Sequence, residues 1–194
     1  MSQVAEKQQS TQQNSNEILL IPFAKVGDHY NLQDNVLISI WNKIIAQKLL
    51  NKVFYDGSIT SAKQFVDMMK HPSNLPVIAY NGEILGFGWL NDMAKNRALA
   101  HFCMFREAWG KHTLEIGHKF LDYWFSLEQN GEPLFRVLVG NTPPWNKPAV
   151  SFIQRLGFKI VGEIPYVGMI SYIEGDDHGK QEWTEGISSE QGAG

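Results

Sequence analysis

The chain has 194 residues, of which 43% are hydrophobic and 12% aromatic, and its formal net charge is -3 at pH 7. This composition provides enough apolar surface for the core of one globular domain. The single cysteine, Cys103, excludes an intramolecular disulfide and a cysteine-based zinc site. The slightly acidic charge balance argues against nucleic-acid binding as the main activity, because neutralising phosphates requires clustered Lys and Arg.

The two ends of the sequence differ in composition from the middle. Residues 1–16 are rich in Gln, Ser and Asn, and residues 174–194 carry six acidic residues and one Lys. Such segments bury too little apolar surface to offset the entropy of ordering, so we predict a disordered tail, a domain over residues 17–173 and a second, acidic flexible tail. Neither a signal peptide nor a membrane span is evident, so we expect a cytoplasmic protein that does not associate with membranes.

Between the tails, the spacing of apolar residues alternates between the patterns of helices and strands. It predicts helices over residues 34–49, 61–70, 110–127 and 147–156, and strands over residues 18–23, 76–80, 83–90, 97–105, 134–139, 158–161 and 167–173. Asn81-Gly82 favours a two-residue hairpin turn, because both residues tolerate positive φ angles. The resulting order, β-α-α-β-β-β-α-β-α-β-β, predicts an α/β fold whose mixed sheet is covered on both faces.

The segment from Asn146 to Tyr166 has the features of a well-made connection from a helix to a strand. Asn146 can cap the helix, and Pro148 lies in the first turn, where its missing N–H is not needed. Gly157 is suited to the left-handed residue that ends a helix, and Phe158 returns the chain to the core. Each feature is common by itself, and the combination is more specific.

That combination resembles the C-terminal part of the GNAT N-acetyltransferases, in Asn146, Ala149, Leu156-Gly157-Phe158 and Gly162-Glu163. The order of elements over residues 18–173 is similar as well. The resemblance implies a GNAT-like mixed, mostly antiparallel central sheet with helices on both faces. It also implies transfer of an acetyl group from acetyl-CoA to a primary amine.

In this family, backbone N–H groups of a loop after the fourth strand hold the CoA pyrophosphate at a helix N-terminus. Residues 107–113 of this chain, Glu-Ala-Trp-Gly-Lys-His-Thr, correspond to that loop. Gly110 and Lys111 match the family pattern, whereas Glu107 stands where Gln or Arg is usual and His112 replaces a second glycine. The resemblance therefore implies cofactor contacts from Trp109, Gly110, Lys111, His112 and Thr113, with Arg106 substituting for the usual basic residue.

Two interpretations of this loop stay open. Either its side chains add contacts to phosphate, or the altered loop has lost its affinity for the cofactor and only connects strand to helix. By resemblance, the pantetheine arm would use backbone groups near Cys103, Met104 and Phe105. It would enter a wedge between the strands over residues 97–105 and 134–139.

Three residues are candidates for the chemistry, each with a structural alternative. His101 is a candidate base, or a strand histidine that faces solvent or the core. Asn146 is placed near the cofactor arm by resemblance, or is a plain helix cap. Tyr166 is a candidate proton donor to the departing thiolate, or packs against the last strands. Glu163 and Glu107 are weaker carboxylate candidates, and Cys103 is predicted to be a small buried apolar residue.

The run Thr142-Pro143-Pro144-Trp145 follows a predicted strand at the place where a substrate would pass. Trp145, like Trp109, either forms a wall of the pocket or packs within its own loop. The sequence does not identify the acceptor amine, for which a protein N-terminus, a lysine, a polyamine and a drug-like molecule all stay open. A monomer and a homodimer are equally compatible with it.

Other classes of function have weaker support. The sequence has no Gly-x-Ser-x-Gly motif, no P-loop and no histidine spacing typical of a metal site. No helix has the basic face of a helix-turn-helix DNA reader. The main alternative is a non-enzymatic binding or structural protein on the same fold. The loss of the second glycine from the loop is the feature that supports this alternative.

Overall fold

The computed structural model describes residues 17–165 and 167–178. In chain order the elements are β1 (Leu19–Pro22), β2 (Lys25–Val26), β3 (His29–Tyr30), α1 (Asp34–Ala46), α2 (Leu50–Val53), α3 (Ala62–Lys70), β4 (Leu75–Tyr80), β5 (Ile84–Ala94), β6 (Asn96–Met104), α4 (Thr113–Phe125), β7 (Glu128–Gln129), β8 (Glu132–Pro133), β9 (Phe135–Thr142), α5 (Lys147–Arg155), β10 (Lys159–Ile164) and β11 (Gly168–Glu174). A short 3₁₀ turn, Arg106–Ala108, lies between β6 and α4.

The main sheet has seven strands among the described residues, in the order β1-β4-β5-β6-β9-β11-β10. Every neighbouring pair is antiparallel except β6 and β9, which run parallel. The predicted mixed, mostly antiparallel sheet is therefore confirmed. The parallel pair forms because α4 and a small hairpin carry the chain across one face of the sheet between β6 and β9.

Two apolar layers cover the two faces of the sheet. Helices α1 and α3 pack on one face, where the buried set includes Leu37, Ile40, Phe65, Phe87 and Cys103. Helices α4 and α5 pack on the other face, where it includes Phe120, Trp124, Leu138, Ile153 and Phe158. The three- and four-residue spacing of apolar side chains on each helix produces these layers. Within the described part of the chain, no helix is long and apolar enough to cross a membrane.

Several predicted boundaries need correction. Helix α1 ends at Ala46, and residues 50–53 form the separate short helix α2. At the β4–β5 turn, Tyr80 pairs with Ile84 and only Gly82 has a positive φ angle, so the connection is a three-residue loop and not a two-residue Asn-Gly turn. The small hairpins β2–β3 and β7–β8 were not predicted, because strands of two residues have no periodicity to detect.

The predicted start of the acidic tail at residue 174 is too early. Glu174 is the last residue of β11, and residues 175–178 form turns that contact the domain. The ring of His178 lies against α4, with its Nε2 atom 2.7 Å from Asp122 Oδ1. The predicted tail over residues 1–16 and the rest of the second tail, residues 179–194, lie outside the described residues.

Gly88 provides a direct test of how α4 packs on the sheet. A Cβ atom at Gly88 would lie 2.9 Å from Trp124 Cη2 and 2.9 Å from the His101 carbonyl oxygen. We expect Gly88→Ala to lower the free energy of unfolding by about 1–3 kcal/mol, because this crowding forces the helix away from the strand. Urea denaturation followed by circular dichroism measures the change.

Gly162→Ala is the matched control for Gly88→Ala. Gly162 lies in the edge strand β10, and a Cβ atom there would have no neighbour within 4 Å. The free energy of unfolding of this variant should lie within about 0.5 kcal/mol of that of the parent, as is usual for surface substitutions. Equal stability of the two variants would contradict the packing described here.

Candidate active site

A cleft opens where the parallel strands β6 and β9 separate. Their pairing extends only to Leu99 and Val139, although β6 continues to Met104 and β9 to Thr142. A cavity of about 90 Å³ lies at this point and is bordered by residues of both strands, of α2 and of α5. The wedge expected between these strands is therefore present in the structure.

The edge of β6 that faces the cleft carries unpaired backbone groups. The N–H of Phe105 donates to Leu85 on the opposite side, and the carbonyl oxygens of Cys103 and His101 also lie against β5. Because backbone groups alternate along a strand, those of Phe102 and Met104 point towards β9 instead. The cleft is thus lined by peptide groups able to bind the amides of an extended ligand.

This alternation corrects the predicted contribution of Cys103 and Phe105. The side chains of both residues are buried in the layer beneath α1 and α3, and their backbone polar groups are directed to β5. Burial raises the pKa of the Cys103 thiol well above its usual range, so Cys103 is the inert apolar residue that the sequence predicted. Of the three residues expected to contact a pantetheine arm, only Met104 directs its backbone to the cleft.

His101 lines the cavity and is held in one orientation. Its ring stacks on the Trp89 indole, with ring centroids 4.3 Å apart, and its Nε2 atom lies 2.9 Å from Asn91 Oδ1. Because an amide oxygen only accepts, Nε2 carries the proton and Nδ1 keeps its lone pair. Burial lowers the pKa of His101 to about 4, against the opposing charge of Asp56. The imidazole is therefore neutral at physiological pH.

Asn146 also lines the cavity, and the structure corrects its predicted role as a helix cap. Its side chain makes no capping hydrogen bond with α5, although its backbone carbonyl accepts from the N–H of Val150. Pro148, in the first turn of the helix, supplies no N–H group, so one of the usual donors to a capping side chain is missing there. The amide of Asn146 is consequently available to a ligand in the cleft.

The loop between β6 and α4 is tightly folded on itself. The N–H groups of Ala108, Trp109, Lys111 and His112 all donate to backbone carbonyls within residues 105–109. The hydroxyl of Thr113 donates to the carbonyl of Ala108 at 2.8 Å as well. These donors are therefore engaged, and they do not form the open cradle that the sequence predicted for Trp109, Lys111 and His112.

Other donors of this region have no backbone acceptor within the described ranges. They are the N–H groups of Gly110 and of the first three residues of α4, namely Thr113, Leu114 and Glu115. Such donors and the positive end of the helix dipole favour an anion. The carboxylate of Glu115 lies in the same turn, however, 3.1 Å from His112 Nδ1. It partly offsets that positive potential.

Arg106 and Glu107 make contacts with α1 and with the loop itself, and the Arg106 guanidinium lies over the Trp109 ring, 5.7 Å from its centroid. The backbone N–H of Arg106 donates to the Gln47 side chain, and Glu107 accepts from Gln47 Nε2 and pairs with Lys43 at 3.2 Å. Both residues thus attach the loop to α1. Their predicted roles in phosphate binding and in catalysis have no support in this geometry.

The remaining candidates are spread around the cleft. Pro143 lines the cavity, whereas Trp145 is 58% exposed and does not line it. Trp109 covers the end of β6 by donating from Nε1 to the Met104 carbonyl at 3.0 Å. Glu163 is exposed on β10, and Tyr166 lies outside the described residues.

Sequence reasoning missed several residues of the site. Tyr55 and Lys52 line the cavity from α2 and the turn after it, Trp89 supports His101, and Asn141 lies at the end of β9. The Tyr55 hydroxyl donates to the Val167 carbonyl at 3.3 Å, and burial followed by the charge of Asp56 raises its pKa. No local pattern marks these residues, because they become neighbours of His101 only through the packing of distant segments.

Comparisons with known proteins agree with this geometry at the level of fold. No protein-family model matches the sequence, and no curated protein matches it significantly. Spermidine N-acetyltransferase from Vibrio cholerae, solved in complex with CoA and spermine, has a TM-score of 0.65 at 14% identity, over 83% of this chain and 97% of that one. The Campylobacter jejuni N-acetyltransferase PseH has a TM-score of 0.57 at 14% identity, over 81% and 97%.

An uncharacterized protein from Bacillus halodurans, bh2621, is similar as well, with a TM-score of 0.63 at 10% identity over 77% of this chain and 84% of that one. The chain therefore has the fold of the GNAT N-acetyltransferases, as the segment from Asn146 to Tyr166 predicted. At these identities the likeness establishes the fold and not the activity.

The buried neutral state of His101 makes stability depend on pH. Unfolded His101 takes up a proton near pH 6.5, and the folded residue does so only near pH 4. The unfolded state therefore binds more protons between these values, and stability falls as the pH decreases from 6.5 to 4, by about 3 kcal/mol from this residue. We expect His101→Gln to remove that part of the pH dependence.

Urea unfolding at several pH values between 4 and 7 measures this contribution. The other titrating groups are common to both proteins, so the difference between the parent and His101→Gln isolates His101. Parallel curves for the two proteins would show that His101 is not held neutral by burial.

Proposed function

We propose that the protein is an acetyl-CoA-dependent N-acyltransferase that moves an acetyl group to a primary amine. The observation that carries the proposal is the cleft between β6 and β9. There an unpaired strand edge lies beside the neutral His101 and beside Asn146, whose side chain makes no capping hydrogen bond. Similar folds solved with CoA and with acetyl-CoA support the same cofactor. Its fit to the residues of this chain can be judged group by group.

The pantetheine arm fits the edge of β6. Its amide groups require backbone donors and acceptors. Phe102 directs both of its backbone groups into the cleft, and Met104 directs its N–H, since Trp109 Nε1 already donates to the Met104 carbonyl. The diphosphate fits the start of α4, where the N–H groups of Gly110, Thr113 and Leu114 have no backbone acceptor among the described residues. The exposed ammonium of Lys111 adds a positive charge beside these donors.

His101 would act on the amine. Bound acetyl-CoA supplies an activated thioester, so the protein needs mainly to position an unprotonated amine and to accept its proton. The lone pair on His101 Nδ1 is a hydrogen-bond acceptor for that amine, and the Asn91 contact prevents the ring from turning away. The low pKa keeps this acceptor available across the physiological range.

Three donors would stabilise negative charge on oxygen near the strand edge. The backbone N–H groups of Phe102 and Met104 are fixed by the pairing of β6 with β5. The side-chain amide of Asn146 supplies a further donor from the start of α5. Donors that are oriented before the reaction lower its barrier more than water does, because they do not have to reorganise.

A tyrosine would return a proton to sulfur. Tyr166 is the residue that the family resemblance indicates, and Tyr55 is the residue that lines the cavity. The raised pKa of Tyr55 keeps its hydroxyl protonated at neutral pH, as a proton donor requires. Tyr55→Phe and Tyr166→Phe, measured side by side, assign the role to the variant with the larger loss of kcat.

A second candidate function has support from the loop. Four N–H groups of the loop are consumed by its own carbonyls, and the Glu115 carboxylate lies in the first turn of α4. Both features weaken an anion site relative to an open, glycine-rich loop. A protein with this fold that has lost catalysis and acts by binding another molecule would also have these features.

Binding of acetyl-CoA separates the two functions. At a concentration 100 times the Kd, a ligand stabilises the folded state by about 2.7 kcal/mol, which raises the Tm of a domain of this size by roughly 5–10 °C. We expect such a shift with acetyl-CoA. No shift at several millimolar would leave only the non-catalytic function.

The Gly110→Pro variant tests the loop itself. Gly110 has φ +78°, which proline cannot adopt, and proline also removes its N–H group. We therefore expect the acetyl-CoA shift to be lost in a protein that remains folded. Gly131→Pro is the matched control, because Gly131 has φ +80° in the distant β7–β8 turn. An unchanged shift in Gly110→Pro would refute the proposed diphosphate site.

The pH dependence of turnover tests the role of His101. Because the pKa of His101 is about 4, the residue stays neutral from pH 5 upward. The pH profile of kcat should therefore have no inflection near 6.5 that belongs to His101, and any inflection caused by His101 should lie near pH 4. An inflection near 6.5 that disappears in His101→Gln would contradict the assigned neutral state.

A further inference from the structure

The cleft has two sides with different chemistry. Side chains alternate along β6, so His101 lies on the face of the sheet covered by α1 and α3, together with Cys103. On β9, the Cβ position of Gly140 points towards Ser171 and Phe158, so the next residue, Asn141, points to the face that holds His101. We name this side the acceptor compartment and define it by Lys52, Tyr55, Trp89, His101 and Asn141.

Asn141 carries an unsatisfied hydrogen-bond acceptor at the border of this compartment, where its Oδ1 atom packs against Gly168 of β11. Its Oδ1 atom is buried and has no hydrogen-bond partner among the described residues. A buried carbonyl oxygen without a partner is costly, and native structures usually satisfy it with water or a ligand. Since an amide oxygen accepts only, its partner is an N–H or O–H group. This atom is enclosed by protein, so the acceptor that a substrate amine meets in this compartment is His101 Nδ1.

Among the described residues that line the cavity, Lys52 is the one with a charged side chain at neutral pH. The described residues that line the cavity include no carboxylate, and none lies within 4.0 Å of the Lys52 ammonium. Asp56, the acid whose charge reaches His101, does not line the cavity, is exposed and accepts from the N–H of Ser58 at 3.0 Å. A polyamine, which carries several ammonium groups, therefore lacks the carboxylates that would bind it here.

From these observations we infer that the acceptor is a free amino acid, with both its amine and its carboxylate unblocked. This inference rests on the proposed function. The amine of this acceptor donates to His101 Nδ1, its carboxylate pairs with Lys52, and its side chain contacts Tyr55 and Trp89. Acetylation breaks the C–S bond of the thioester, forms a C–N bond and passes one proton from nitrogen to sulfur, which yields CoA and an N-acetyl amino acid. This acceptor differs from the polyamine bound by the structurally similar spermidine acetyltransferase.

Three amines test the inference when the release of CoA is followed with a thiol reagent. L-leucine carries the carboxylate, L-leucinamide has the same side chain without it, and spermidine represents polyamines. We expect kcat/KM for leucine to exceed that for leucinamide by about tenfold or more, in line with a hydrogen bond between charged groups. The amine of leucinamide is the weaker base and is more often unprotonated, so basicity cannot produce this preference.

Substitution of Lys52 shows whether this residue causes the preference. Lys52→Gln should reduce the ratio of leucine to leucinamide activity to about one, mainly through KM for leucine, and Lys52→Arg should keep most of the preference. Lys63→Gln is the matched control, because Lys63 is exposed on α3 and pairs with Asp67 at 2.6 Å. It should leave the ratio unchanged.

The outcomes separate this inference from the proposed function. Preferential acetylation of spermidine or leucinamide, or a ratio unaffected by Lys52→Gln, would overturn the inference and leave the N-acyltransferase intact. Binding of acetyl-CoA without turnover of leucine would overturn it in the same way. A protein that does not bind acetyl-CoA at all would remove the proposed function and the inference together.

Discussion

The separation of β6 from β9 after Leu99 and Val139 is the feature on which the site depends. Each strand end is held by its other neighbour, since β6 pairs with β5 as far as Met104 and β9 pairs with β11 as far as Thr142. The ring of Phe102 lies edge-on to Phe152 and Phe158, with centroids 5.5 and 6.3 Å away, and this aromatic group packs on the face of the sheet covered by α4 and α5. The edges of β6 and β9 that face each other therefore stay unpaired beyond Leu99 and Val139.

The loop before α4 combines N–H groups that are paired within the loop with unpaired N–H groups at the start of the helix. Its N–H groups mostly bond to its own carbonyls, and Trp109 covers the Met104 carbonyl, so the loop is rigid without a ligand. The donors that remain at the start of α4 are those that every helix leaves unpaired. An anion site can therefore persist here although His112 stands where the family has glycine, since backbone donors do not depend on the side chain.

The protonation states of the candidate base, His101, and of the candidate acid, Tyr55, are set by their surroundings. His101 is kept neutral by burial against Trp89, and Tyr55 is kept protonated by burial and by the charge of Asp56. Asn141 and Lys52 add an acceptor and a positive charge on the same side of the sheet. Lys52 and the lack of a carboxylate among the described residues of the cavity lining are the basis for the proposed amino-acid acceptor.

The sequence by itself determined the class of fold, the apolar faces of α1, α4 and α5, and the helix-to-strand connection at Gly157, because these depend on local spacing and on residues with strong backbone preferences. It also indicated His101 and Asn146 by their positions in a familiar order of elements. Only the tertiary structure decided that Cys103 and Phe105 turn away from the cleft and that the Asn146 side chain caps nothing. It alone brought Lys52, Tyr55 and Asn141 to the same cavity. These outcomes depend on strand register and on contacts between segments far apart in the chain, and no local pattern encodes either.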